Sequence, residues 1–252
     1  MKLYGDFVKE DWLKAFKMAE HDVPSSMIIN GAWDHNKILT KWEKTFESRT
    51  CAPHWNTIVG TIGHQQIGFA NVFGGPSAAV ITHQFAILGT ERFIQTGYFG
   101  GLAEEVQFGD ILIVTGAEMA DGVSHWYLPE KKMVKADPRL VEEAIDFCEK
   151  RGYRYITGTV FTTGAIMVET KELVQQWAKR GHAGVDMETA TTLAVAKKLR
   201  KQAIGLLTLS DHIIKGDTFF TIDTNNNILK ERTNERIKEL ALYLSGCKSL
   251  KI

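Results

Sequence analysis

The sequence is poor in cysteine, proline and long apolar runs, and each shortage excludes something. Three cysteines, Cys51, Cys148 and Cys247, stand far apart in 252 residues. An odd, scattered set offers neither a disulfide framework nor zinc-ligand spacing, so a reducing cytoplasm is the expected home. Five prolines and the lack of any Gly/Ser-rich linker leave nothing to divide the chain, and one domain over residues 1–252 is expected. No run approaches the ~18 apolar residues of a membrane span. The first residues carry Asp6, Glu10 and Asp11 and do not read as a signal peptide. There is also no excess of charge of either sign: 30 Lys and Arg balance 30 Asp and Glu. A nucleic-acid partner, which needs a basic face, is therefore not expected. The cluster at 197–201 reads as a solvated helix end.

What the chain does have is alternation. Short apolar or β-branched runs at 26–30, 66–73, 92–96, 110–116, 156–162 and 203–209 predict strands. Residues 76–89, 138–151, 169–181, 187–200 and about 227–245 predict helices; the first starts at Pro76 and stops at Gly89. Strands alternating with helices define an α/β fold around a covered sheet. Gly74, Gly75, Pro76 and Ser77 read as a tight strand-to-helix loop. Gly97–Gly101 reads as a second glycine-rich loop, and 223–227 as a turn. Neither glycine loop has the lysine of a phosphate loop or the spacing of a dinucleotide fingerprint.

Two segments carry chemistry. Met187 and Glu188 stand where an apolar run meets a helix, and Asp211 and His212 close another run. Carboxylates at strand ends, one beside a soft thioether, suit a pocket for a sugar and a heterocycle. The plain alternatives are a helix-start carboxylate for Glu188, a cap or turn aspartate for Asp211, and packing or hydrogen bonding for His212.

Six landmarks in order give these segments a context: Ile29, Asn30 and Gly31; Gly74 to Ser77; Gly97 and Gly100 followed by Gly109 to Leu112; Asp121 to Ser124 with Leu128 and Pro129; Val185 to Ala190; and Ser210 with Asp211. In these the chain resembles the nucleoside phosphorylase family that contains uridine phosphorylase and the hexameric purine nucleoside phosphorylases. The resemblance implies a single-domain α/β fold with a central mixed, barrel-like sheet flanked by helices. It implies a homodimer or a hexamer built as a trimer of dimers, a nucleoside as the small-molecule partner, and no cofactor or metal, with phosphate as possible co-substrate. It further implies that Glu188 accepts hydrogen bonds from the ribose hydroxyls, that Met187 packs on the sugar, and that Asp211 protonates the base, which requires a raised pKa.

Set against the family pattern, the remainder of the site is rewritten. The base pocket is expected around Phe161–Val168, where Ile166 and Met167 form an apolar wall without the family's arginine. Trp126 and Tyr127 are candidates for replacing the lost aromatic surface, or for ordinary packing. The phosphate position falls on Gly31, His35, Gln95 and Tyr98, with His35 and Gln95 in place of arginines. Tyr4, on the ribose-binding side, stands for a histidine, and Arg49 for an arginine, that the family contributes across the subunit interface. Losing two cationic partners of a dianion, each worth about 1.5–3 kcal/mol, weakens binding by orders of magnitude. Three functions stay open: a phosphorylase with an altered phosphate site; a nucleosidase using water, with Asp34 or Asp6 as the activating carboxylate; or a non-catalytic nucleoside-binding protein.

Overall fold

The computed structural model describes residues 2–51 and 53–247. Among them are ten strands: β1 Ser26–Gly31, β2 Ser48–Cys51, β3 Thr57–Ile62, β4 Gln65–Val72, β5 Arg92–Gly101, β6 Ile111–Ala120, β7 Met133–Lys135, β8 Tyr155–Thr163, β9 Gly184–Asp186 and β10 Gln202–Asp211. Eight α-helices accompany them: α1 Lys9–Phe16, α2 His35–Glu43, α3 Gly74–Leu88, α4 Ser124–Tyr127, α5 Pro138–Arg151, α6 Lys171–Ala178, α7 Thr189–Lys198 and α8 Thr224–Leu244.

All ten strands belong to one mixed sheet. Its order is β10-β6-β8-β9-β5-β1-β4-β3-β2, with β7 on β6. A further β10–β5 pairing closes the first five into a ring, which is the barrel-like sheet that the family resemblance implies. The β5 strand makes closure possible. Along one edge it pairs with β10. Along the other it pairs in parallel with β1 up to Gly97, then antiparallel with β9 at Gly100 and Gly101. The partner changes beyond Gly97, whose φ is 148°. A Cβ there would stand 2.8 Å from the Gly31 carbonyl oxygen, so two backbones meet where no side chain fits. The segment 97–101 is therefore strand rather than the expected loop.

Local signals explain the helix ends. Asp137 accepts the Arg139 and Leu140 N–H groups ahead of Pro138, and Gly152 closes α5 in the left-handed conformation. Asp223 caps α8 by accepting the Asn226 N–H at 2.8 Å, so the expected turn at 223–227 is a cap and a first helical turn. Thr189 to Ala196 of α7 are all buried, and α3 hides most of its length in the same core. The buried stretch of α7 has no polar face because it is covered on all sides, whereas α3 keeps one partly exposed strip at Pro76, Val80, His83 and Ile87. The short strands β2, β3, β7 and β9, and helices α1, α2 and α4, were not anticipated. No helix of the described residues is long and apolar enough to cross a membrane.

Candidate active site

The ends of β1, β8, β9 and β10 and the last residues of β5 converge on a cavity of 1070 Å³. Gly31, Tyr98, Asp186, Met187, Glu188, Ser210 and Asp211 all line it.

Glu188 is 7% exposed. It is the first residue before α7, yet its side chain caps nothing there. Asp186 serves that end instead, accepting the Thr189 N–H at 2.8 Å and the Glu188 N–H at 3.4 Å, with the Thr162 hydroxyl at 2.5 Å. Released from its own helix, Glu188 reaches the start of α3, where Oε1 accepts the Gly74 N–H at 2.6 Å. Burial, then the nearby charge of Asp186, push the Glu188 carboxyl up to about 8. Asp186 itself is raised by burial.

Gly31 leaves room for this arrangement. A Cβ on it would stand 2.6 Å from Glu188 Oε2. Gly31→Ala is expected to displace the carboxyl and lower kcat/KM on a ribonucleoside by about 10²-fold while the protein still folds. Kinetics beside a melting curve check this; unchanged kinetics would show that the contact is idle.

Glu188 also sets a pH signature. In the unfolded chain it ionises near 4.5; in the folded chain it holds its proton to about 8. Between these values the native state binds the extra proton, so its stabilisation is full below about 4.5 and is lost as pH rises through 8. Melting temperature should fall across that window, and Glu188→Gln should flatten the fall by roughly 1 kcal/mol per pH unit. Melts at several pH values decide it.

Asp211, at the end of β10, is also 7% exposed. It accepts the Ser210 hydroxyl, caps no helix, and is raised by burial. His212 points elsewhere: its Nε2 meets the Val106 carbonyl oxygen at 2.9 Å, and burial lowers its pKa.

The other expected site residues divide. Ile166, Met167 and Tyr98 line the cavity. Tyr98 Oη accepts the Asn234 amide at 2.9 Å, which leaves its own hydrogen free to donate. Gln95 is not in the lining: it is 1% exposed, its Oε1 accepts the Thr192 hydroxyl at 2.6 Å, and its Nε2 donates to the Thr96 carbonyl oxygen at 2.9 Å. The amide ties β5 to α7. His35 also lies outside the lining, against the Trp55 ring at 4.2 Å and the Asn71 amide at 3.3 Å. Phe161 belongs to a separate core with Trp177, 5.1 Å away, under the Arg180 guanidinium. Trp126 and Tyr4 are 81% and 78% exposed and are not cavity residues of this chain. Arg49 is paired with Glu43 at 2.7 Å. Asp34 caps α2 and Asp6 accepts the Leu3 N–H.

Two lining groups were missed. Trp33, Phe73, Phe219 and Phe220 form an aromatic wall, with Trp33 to Phe73 at 4.6 Å and Phe219 to Phe220 at 4.2 Å. Their signal was position: Trp33 follows Gly31 and Phe73 precedes Gly74. Glu169 is the other; it opens the segment Glu169–Leu173, which resembles uridine phosphorylase-like members of the family but gives Glu169 no role. Among the described lining residues the cations are Lys171, Lys215 and Lys230, with no arginine. Lys215 donates to the Glu104 carbonyl oxygen. Among the described residues no cluster of His, Cys, Asp and Glu is placed to hold a metal.

This fold has known counterparts. The family model described as the phosphorylase superfamily matches residues 34–241, and the chain belongs to that superfamily. A purine nucleoside phosphorylase DeoD-type 2 of Vibrio vulnificus is 30% identical over 152 residues, covering 60% of this chain and 64% of the relative. The chain thus spans under two thirds of that relative's length. A guanosine phosphorylase of Halorubrum lacusprofundi is 26% identical over 57% of this chain and 60% of its own. Among solved structures, a uridine phosphorylase from Vibrio fischeri matches with TM-score 0.78 at 22% identity, over 91% of this chain and 95% of its own. A 5'-methylthioadenosine/S-adenosyl homocysteine nucleosidase from Campylobacter jejuni matches with TM-score 0.71 at 17% identity, over 89% and 99%. At these identities the structural likeness shows the fold.

Proposed function

We propose that the chain cleaves the N-glycosidic bond of a nucleoside and passes the sugar to water. In this reading Glu188 accepts the ribose hydroxyls and Met187 packs on the sugar face. As the base leaves, positive charge grows on the sugar and draws the Glu188 carboxyl toward its ionised form, so the interaction strengthens in the transition state. Asp211, whose pKa burial raises, gives its proton to the departing base. The C1′–N electron pair leaves with the base; water supplies the oxygen on C1′ and releases a proton to solvent, from which Asp211 is reprotonated.

The observation that carries water over phosphate is the acceptor end of the cavity. There the Glu188 carboxyl stands against Gly31, and among the described lining residues of this chain there is no arginine. Gln95, at a position where the family resemblance implies an arginine, is engaged within the core. A phosphate dianion there would meet a carboxyl group and lack charge-assisted bonds worth about 1.5–3 kcal/mol each. The test is product identity: purified protein with a ribonucleoside in phosphate-free buffer is expected to yield free base and free ribose. Ribose 1-phosphate as the product whenever phosphate is supplied, with no release in its absence, would refute the reading.

A further inference from the structure

Glu169 faces the cavity with no role in the scheme above. Its backbone N–H bonds the Ile166 carbonyl oxygen, and Thr170 beside it caps α6 by accepting the Leu173 N–H. The α6 helix packs Val174 and Trp177 in one cluster with Ile213 and Ile214, the residues that follow Asp211 by two and three positions. This packing sets Glu169 near Asp211 on the cavity wall formed with Ile166 and Met167. Burial and then the Asp211 charge push the Glu169 carboxyl up to about 7. Lys230 and Asp217 bear on Asp211, while among the described residues no donor reaches the Glu169 carboxyl.

Resting on the glycosidic reading above, we propose that Glu169 is the specificity-determining residue of the base pocket. Its carboxylate accepts an exocyclic N–H of the base while Asp211 serves a ring nitrogen, so the pocket takes aminated heterocycles in preference to their oxo counterparts. An amine turns a hydrogen toward the carboxylate. A carbonyl oxygen at the same place turns lone pairs toward it and leaves a half-buried charge unpaired, which is the arrangement that discriminates strongly. The wall beside it, Ile166 and Met167, offers contact but no hydrogen bond that would favour either base.

The test compares adenine and hypoxanthine, which differ in the exocyclic group at C6 and in the N1 proton that accompanies the carbonyl, by calorimetric binding at about pH 8, where Glu169, at about 7, is mostly ionised. The wild-type protein is expected to bind adenine at least about tenfold more tightly. In Glu169→Gln, whose amide both donates and accepts, the ratio should fall to about threefold or less. Met167→Ala should weaken both bases alike and keep the ratio, which separates recognition from general loosening of the wall. An unchanged ratio in Glu169→Gln, a preference for hypoxanthine, or no binding of either base by the wild type would overturn the proposal. Binding needs no turnover, so the two readings fail separately. Lack of base release from adenosine and inosine, with the adenine preference intact, sinks the glycosidic reading alone. Release from both, with an unchanged ratio, sinks the Glu169 role alone.

Discussion

Glu188→Ala is expected to lower kcat/KM on a ribonucleoside by about 10³-fold or more, with most of the loss in kcat. The reason is differential: the carboxyl is held nearly neutral in the empty site, at about 8, and gains its anionic strength only as the sugar becomes cationic. An interaction of that kind, removed, costs turnover more than binding. The substitution also strands the Gly74 N–H, at a cost of about 1–3 kcal/mol, but it removes a carboxyl whose burial is itself unfavourable. The folded state should therefore survive, and a melting curve verifies that. A 2′-deoxynucleoside, with one hydroxyl fewer for Glu188, should show a smaller loss than the ribonucleoside. Equal losses would mean that Glu188 acts on the fold of the cavity rather than on the sugar, and a kcat/KM within about threefold of wild type would remove it from the site.

Asp211→Asn is expected to lower kcat on natural nucleosides by about 10²–10⁴-fold, the usual worth of a positioned general acid. An amide of the same shape keeps a partner for Ser210 and removes the proton. The decisive comparison is a 4-nitrophenyl riboside, whose phenolate leaves without protonation. On that substrate the variant should retain nearly all of its activity. If both substrates lose activity equally, Asp211 supports the structure and supplies no proton. The pH profile adds a second sign: burial raises the Asp211 pKa, and the alkaline limb of kcat that its ionisation sets should be lost in Asp211→Asn.

The long elements were legible because their signals are local. Apolar runs predicted six of the strands, and Asp137, Pro138 and Gly152 bracket α5 as caps should. Closure of the barrel was not legible from pattern alone. It depends on β5 exchanging β1 for β9 beyond Gly97, and β9 is a three-residue strand with too little pattern to detect. In the cavity, Met187, Glu188 and Asp211 stood out because they close apolar runs. Gln95 and His35 were placed at the phosphate position by linear correspondence; in the folded chain both side chains find internal partners, which composition cannot foretell. Phe161 lies on the right strand, two residues before the lining Thr163, but is covered by the Trp177 cluster. Glu169 has no site role legible in its own segment because its meaning comes from Asp211, 42 positions later in the chain and brought near through the packing of α6.

The central claim is that the sugar and base half of a nucleoside-cleaving site works here without the phosphate half. The initial rate of base release from a ribonucleoside, measured against phosphate concentration from none upward, tests it most directly. The predicted result is a finite rate without phosphate that stays flat as phosphate is added. A rate that starts at zero and rises to saturation with phosphate would contradict it.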